Sequence, residues 1–238
     1  PVMVPELMLL PSWAPFNIYK FASWARATLV PLLIILADHP TRSPSIEFAL
    51  DDLYVQAKSQ TNTSLPRRGQ GLLSAERLFL MADKLLRWYE KVPWKPFRRL
   101  AIKKAERWII AHQEADGSWG GIQPPWVYAL IALNHLGRPL DDPIVAKGLD
   151  GFRHEWSVTS DDGNAMRVQA CLSPVWDTAL ATLGLLDSGI EPNHESIQRA
   201  TRWLIREEIR VKGDWAIQAP QVEPSGWAFE FQNDMYPD

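Results

Sequence analysis

Three acidic pairs are the first residues to test for chemistry. An enzyme that ionises a diphosphate holds magnesium with Asp-Asp-x-x-Asp, because hard cations want clustered oxygens. Asp51-Asp52 is followed by Leu-Tyr-Val, Asp141-Asp142 by Pro-Ile-Val and Asp161-Asp162 by Gly-Asn-Ala, so none completes the pattern. The five histidines, at 39, 112, 135, 154 and 194, have no spacing suited to zinc. Cys171 is the single cysteine, which excludes an internal disulfide and reads as a small buried hydrophobe. No Gly-rich phosphate loop occurs. Neither a metal nor a cofactor is expected. What the chain has in excess is tryptophan, 12 in 238 residues. An indole buries a large area, wants a partner for its N–H and offers its face to cations. Repeated structural use or an aromatic pocket would each account for that excess.

The elements that must carry these side chains are set out by an internal repeat. Lys104-Ala105-x-x-Trp108-Ile109 runs on to Gln113 and then Gly117-Ser118-Trp119. Arg199-Ala200-x-x-Trp203-Leu204 runs on to Glu208 and then Gly213-Asp214-Trp215. A second register links Pro125-Trp126-x-x-Ala129-Leu130-x-x-Leu133 with Trp176-x-x-Ala179-Leu180-x-x-Leu183. Lys147-Gly148-x-x-Gly151-Phe152 is a weakened copy of the first head. Each unit reads as two helices. The first carries charge (Lys103, Lys104, Glu106, Arg107) and faces outward. The second starts after a proline, ends at a glycine and is apolar nearly all round, the pattern of a buried helix. Alternating outer and inner helices at this period give an all-α fold, an α/α-barrel or toroid.

Outside the repeats, residues 18–38 read as a long apolar helix kinked at Pro31. Residues 42–68 read as an irregular surface segment, and 158–164 and 218–226 as loops. Residues 72–91 form an amphipathic helix, with Leu73, Leu78, Phe79, Leu80, Met81, Leu85 and Leu86 set against Glu76, Arg77, Asp83, Lys84 and Arg87. Strand signals are scarce. With 46% hydrophobic and 22% charged residues the chain is globular, and a net charge of −3 gives no case for nucleic acid. The longest uncharged apolar run, residues 27–37, is about half of what a bilayer crossing needs. The start at Pro1 and the stop at Asp238 lead us to expect a piece of a longer protein.

Gln113-x-x-x-Gly117-x-Trp119, inside its basic–Ala–x–x–Trp–Ile frame, resembles the QW repeat of the triterpene cyclases. Ser23-Trp24-Ala25-Arg26-Ala27-Thr28, Gly120-Gly121-Ile122-Gln123-Pro124-Pro125-Trp126, Ser173-Pro174-Val175-Trp176-Asp177-Thr178 and Gly226-Trp227-Ala228-Phe229-Glu230-Phe231 are similar, in order and spacing, to the bacterial squalene–hopene cyclase family. The resemblance covers nearly the whole chain, least over residues 41–71. Two departures stand out: Glu208 occupies the family's usual Gln position, and the loop before Cys171 lacks a closing aromatic.

The resemblance implies two α-barrels, each partly present. Residues 1–175 would be the later part of the inserted upper barrel, and 176–238 the opening of the catalytic barrel. It implies proton-initiated cyclisation of squalene to hopene or hopanol without a cofactor. Asp238 would be the first residue of the family's Asp-x-Asp-Asp acid motif, with the proton donor two residues further on. Trp24, Trp176 and Phe229 would line the pocket and stabilise cations, which need aromatic faces that do not act as bases. Ile122 and Pro124 would shape the end of the pocket that closes last. Gln123 and Tyr128 would hold the water there, and Phe21 and Leu29 would border the substrate channel. Trp108, Trp119, Trp203 and Trp215 would be structural, and Glu230 an acid behind the pocket wall. The implied setting is monotopic, on the cytoplasmic side of a bacterial membrane, with residues 72–91 contributing to an apolar plateau or to core packing, and with a homodimer of the full-length protein. The rivals are an oxidosqualene-type cyclase and a non-catalytic toroid that binds a prenyl lipid or a partner. The chain by itself is expected to be inactive.

Overall fold

Proline in the first turn starts the repeat helices, because its missing N–H lies where no intrahelical partner exists. It does so at α4 (Gln123–His135) and at α6 (Pro174–Asp187). The computed structural model describes residues 2–41, 53–55, 60, 74–154, 156–160, 162–230, 233 and 235. Two compact units are present, one made of residues 1–2 and 39–93, the other of 3–38 and 94–238.

In the larger unit α1 (Ser23–Asp38) carries Pro31 in its interior, buried beside Val30, Leu33 and Ile34. The long helix expected over residues 18–38 is two pieces: a 3-10 turn, Ile18–Lys20, precedes α1, and Phe21 between them has an extended backbone. Asn17 accounts for the interruption, since its side chain accepts from the Tyr19 N–H at 2.9 Å and starts the short turn. The charged repeat helix, α3 (Arg98–Ala111), buries Ala101, Ala105, Trp108 and Ile109 and leaves Lys103, Lys104 and Arg107 exposed, as the pattern requires. It packs on α1 and on a 3-10 helix, Pro5–Leu9, whose Glu6 pairs with Arg98 at 2.9 Å. Helix α4 packs on α1, and α5 (Pro143–His154) packs on α4. Trp119, Trp126 and Trp156 are fully buried among these helices.

The weakened repeat head explains itself in α5. A Cβ at Gly151 would overlap the Asp116 carbonyl, and one at Gly148 would sit 2.9 Å from a Leu130 methyl and 3.2 Å from the Trp119 ring. The two glycines are what let this helix seat against the indoles.

Three expectations change. Residues 158–164 are not a plain loop: Ser157–Thr159 and Met166–Val168 form an antiparallel hairpin, β1 and β2, in which Val158 pairs with Arg167. Cys171 is exposed, at a backbone bridge with Ile122 on the surface side of the start of α6 rather than inside a helix core. Helix α6 buries only Val175, while Leu180, Leu183 and Leu185 stay exposed. The reason is its surroundings: α6 packs on the amphipathic α7 (Glu195–Arg206), which covers one side of a helix apolar nearly all round.

In the smaller unit α2 (Ala75–Lys91) is capped by Ser74, whose hydroxyl accepts from the Arg77 N–H, and Asp83 accepts from the Val2 N–H at 3.2 Å. None of its residues is buried; Leu78, Phe79, Met81, Leu85 and Trp88 are all exposed. The expected start at residue 72 lies outside the described residues. No helix among the described residues is long and apolar enough to cross a membrane. The helix order of the larger unit is consistent with the all-α toroid that the repeats predict.

Candidate functional site

A cavity of about 470 Å³ opens where four backbone segments meet, lined by Ser23, Trp24, Gly120, Ile122, Trp176, Phe229 and Glu230. Each segment is fixed by a separate device. Trp24 stands in the first turn of α1, two residues before Arg26, whose guanidinium donates to the Phe21 carbonyl at 2.9 Å and pairs with Asp214 at 3.2 Å. Ile122 is held by a short ladder: the Gln123 N–H donates to the Ala170 carbonyl at 2.9 Å and the Leu172 N–H to the Gly121 carbonyl at 3.3 Å. That ladder also carries the chain into α6, bringing Trp176 to the same cavity as Ile122 at the start of α4. Phe229 is tied back to the end of α7 through the Ile209 N–H, which donates to the Gly226 carbonyl at 2.8 Å, and the Trp227 indole, which donates to the Leu204 carbonyl at 2.7 Å. The rings of Trp176 and Phe229 then meet edge to face, centroids 5.9 Å apart.

Four of the residues expected to line a pocket, Trp24, Ile122, Trp176 and Phe229, thus share one cavity. Gln123, Pro124 and Tyr128 stand in the first two turns of α4, Pro124 exposed and the other two half-buried, and are not among the lining residues. Phe21 is exposed at the break before α1 and Leu29 is half-buried on α1. Asp238 lies outside the described residues. Asp177, read as a helix-start charge, accepts from the Ser173 hydroxyl at 3.0 Å.

Glu230 at the cavity wall belongs to an acidic arrangement that the sequence shows only in part. Glu114 and Glu230 are both buried, and the Asn233 side-chain amide donates to an oxygen of each, at 2.9 Å to Glu114. Glu114 also accepts from the Gly120 N–H and, at 2.9 Å, from the Ser118 hydroxyl. Burial, and secondarily the charge of Glu230, holds the Glu114 carboxyl well above the usual carboxylate range. The turn that makes room is Gly120-Gly121, both with positive φ; a Cβ on Gly121 would stand 2.8 Å from Glu230 Oε2. Glu114 carried no local signal, being one more polar residue in a repeat turn.

A second buried set ties the site to the repeats. Asp214 meets Arg26 at 3.2 Å and His112 Nε2 at 3.1 Å, and His112 stacks on Trp108 with centroids 3.9 Å apart. Burial and then the charge of Asp214 push the Tyr19 phenol upward. The repeat residues act as links between elements: the Trp119 indole donates to the Ile109 carbonyl at 2.7 Å, and the Gln113 amide donates to the Ile144 carbonyl of α5 at 2.8 Å. In the second repeat Glu208, standing for Gln, pairs instead with Arg210 and accepts from Ser225 at 3.0 Å. Among the described residues no group of three or more His, Cys, Asp or Glu side chains is placed to hold a metal ion.

Comparison with known proteins gives a consistent picture. The squalene–hopene cyclase N-terminal domain matches residues 1–161, and the squalene–hopene cyclase C-terminal domain matches residues 172–238. Over its whole length the chain is 41% identical to the squalene–hopene cyclase of Alicyclobacillus acidocaldarius, of which it covers 36%. It is 35% identical to dammaradiene synthase of Dryopteris crassirhizoma, covering 34% of that protein. It is 34% identical to the squalene–hopene cyclase of Bradyrhizobium diazoefficiens, covering 36% of it. The chain spans about a third of the length of these curated relatives.

Proposed function

The chain belongs to the squalene–hopene cyclase family, and from that premise we propose that the full-length protein cyclises squalene to hopene, with hopanol where water adds to the last cation. The observation that carries this reading is the meeting of Trp24, Ile122, Trp176 and Phe229 on one mainly apolar cavity. Formation of hopene is an isomerisation, and formation of hopanol a net hydration in which the added water gives up a proton. A proton adds to a terminal alkene, successive alkenes attack the cation, and the last cation loses a proton or takes up water. Such a sequence needs walls that stabilise positive charge without capturing it, and aromatic faces do this by their quadrupole. Trp176 and Phe229 pack edge to face, so both offer aromatic surface to the same cavity. Asp238, as the opening residue of the acid motif, would stand beside the proton donor. Gln123 and Tyr128 are assigned the terminal water, Pro124 the shape of that end, and Phe21 and Leu29 the channel.

The same premise places the upper barrel over residues 1–175 and the start of the catalytic barrel from 176. The two family matches, which stop at 161 and resume at 172, support a division in that region. A substrate without charge and without water solubility is taken from a bilayer, so the protein is assigned a monotopic place on the cytoplasmic side of a membrane. The exposed Leu78, Phe79, Met81, Leu85 and Trp88 of α2 support that assignment.

The test is to supply the full-length protein with squalene and, separately, its epoxide in detergent, and to identify products by mass. Pentacyclic product from squalene is expected, and it should be lost when the middle acid of the implied Asp-x-Asp-Asp motif that opens at Asp238 is replaced by its amide. Turnover of the epoxide alone would move the protein to the oxidosqualene branch, and no turnover of either would leave the lipid-binding toroid.

A further inference from the structure

The turn after α7 does more than close a repeat. Asp214 is buried at the first position of a short 3-10 turn, Asp214–Ile217. Its carboxylate meets the Arg26 guanidinium at 3.2 Å, and its backbone N–H donates to the Met235 carbonyl at 3.1 Å. Arg26 in turn donates to the Phe21 carbonyl at 2.9 Å, five residues back across the break before α1. One residue thus holds the segment that carries Phe21 and Trp24 and also the segment that, three residues after Met235, reaches Asp238 in the sequence. We propose that Asp214 is a positioning residue: through Arg26 it sets Trp24 in the cavity relative to the run leading into the acid motif, and so governs how many rings close before the cation loses its proton. The inference rests on the reading of the cavity as the cyclisation pocket and deepens it by naming what holds one of its walls in place.

The physical argument starts at the break. Phe21 has an extended backbone, so helical hydrogen bonds do not carry the direction of α1 back through it. The Arg26 side chain spans this break, and Trp24 lies between its two ends. Trp24 is 59% exposed, so little packing holds its ring and its place follows its backbone. The other end of the device is fixed as well. His112, stacked on Trp108 of α3, brings Nε2 to within 3.1 Å of the Asp214 carboxylate. The Met235 N–H donates to Asn233 Oδ1 at 3.1 Å, and the Asn233 amide donates to Glu114 at 2.9 Å. Cyclisation makes strict use of such a frame. Each closure forms a C–C bond only when the next alkene lies within reach of the cation, and a misplacement of about 1 Å by a remote change can cost about a hundredfold in such a step. A cation that waits loses a proton from the neighbouring carbon to water and ends as an alkene with fewer rings, isomeric with hopene. The first proton transfer depends on the acid motif, and the backbone hydrogen bond from residue 214 to Met235 survives any change of the side chain at 214. Loss of the Asp214 carboxylate therefore spares the start of the reaction and spoils its later closures.

The experiment uses the full-length protein in detergent with squalene, well below the thermal midpoint of each variant. Squalene consumption is followed, and products are hydrogenated before mass analysis, so that hydrogen uptake counts the double bonds left and hence the rings formed. Asp214→Asn should raise incompletely cyclised products about tenfold or more relative to the wild type, while consumption at saturating squalene stays within about threefold. Arg26→Lys, which keeps the charge without the planar fork, should retain more of the complete product than Arg26→Gln. Glu6→Gln is the control: Glu6 pairs with Arg98 at 2.9 Å, and neither is among the residues lining the cavity. It should lower the thermal midpoint and leave the ring pattern as in the wild type. A wild-type ring pattern in Asp214→Asn beside a lowered midpoint makes the residue merely structural and overturns the inference, leaving the pocket reading standing. A ring pattern that shifts equally in Glu6→Gln overturns it too, since the pattern then reports stability and not position. If Asp214→Asn does not fold, the two Arg26 variants decide, and equal ring patterns in both overturn the inference. If the wild type converts no squalene, the pocket reading falls and this inference with it.

Discussion

The guanidinium of Arg26 and the carboxylate of Asp214 lie 3.2 Å apart, both nearly sealed from water, and join the first turn of α1 to the turn that closes the second repeat. His112 presents Nε2 to the same carboxylate at 3.1 Å. Asp214→Ala would remove the carboxylate that pairs with buried Arg26, and breaking a buried ion pair costs about 3–5 kcal/mol. Chemical unfolding of the full-length protein measures this, and a loss below about 1 kcal/mol would show that the pair holds nothing.

Helix α5 and helix α6 should respond in opposite ways to the same substitution. Gly184 in α6 has nothing within 4 Å of where a Cβ would stand, so Gly184→Ala is expected to stabilise by about 0.5–1 kcal/mol. Gly148→Ala and Gly151→Ala would drive a methyl group into Leu130, Trp119 or the Asp116 carbonyl and should cost about 1–3 kcal/mol. Thermal midpoints of the three variants test the contrast, and the same sign at all three positions would contradict it.

Glu114 makes stability depend on pH in a definite direction. Its folded carboxyl titrates above the unfolded one, so its favourable contribution is whole below the unfolded value and is lost as pH rises through the folded one. Glu114→Gln removes a proton site that burial penalises when ionised. The variant should gain on the wild type as pH rises through the range between the two values, then keep a constant lead. Urea midpoints of both proteins across that range give the answer; a gap that shrinks with pH would reverse the sign.

The ring pair at the cavity should matter for turnover more than for folding. Trp176 is half exposed, so Trp176→Leu removes a cation-stabilising face with modest loss of buried area. Turnover of squalene should fall about tenfold or more, with incompletely cyclised products, and Trp176→Phe should retain much of it. Mass analysis of the products distinguishes this from a merely structural role, for which both variants would lose stability together and leave the product pattern unchanged.

How far the sequence could be read depended on how far each feature reaches along the chain. The repeat placed Trp108 and Trp119 in the core and the starts of α4 and α6 at their prolines, since capping and periodicity are local properties. The aromatic lining of the cavity was legible through Trp24, Ile122, Trp176 and Phe229, each within a recognisable short segment. The acid pair was not, because Glu114 and Asn233 are 119 residues apart and nothing near either one marks the other. The hairpin escaped because three-residue strands carry too little alternation to stand out from a polar loop. The exposure of α6 escaped because an apolar sequence states what a helix would bury, and the partners present determine how much of it is covered.

Those chain distances also set an order of assembly. The Trp119 indole reaches back only 10 residues to the Ile109 carbonyl, whereas the Asn233 bridge must close 119. By loop-closure entropy the longer contact costs about 2 kcal/mol more to initiate. The repeat turn is therefore expected to close first, and the Asn233 bridge between Glu114 and Glu230 after it. A synthesis pause before residue 230 would leave Glu114 without the two residues, Glu230 and Asn233, that complete its bridge.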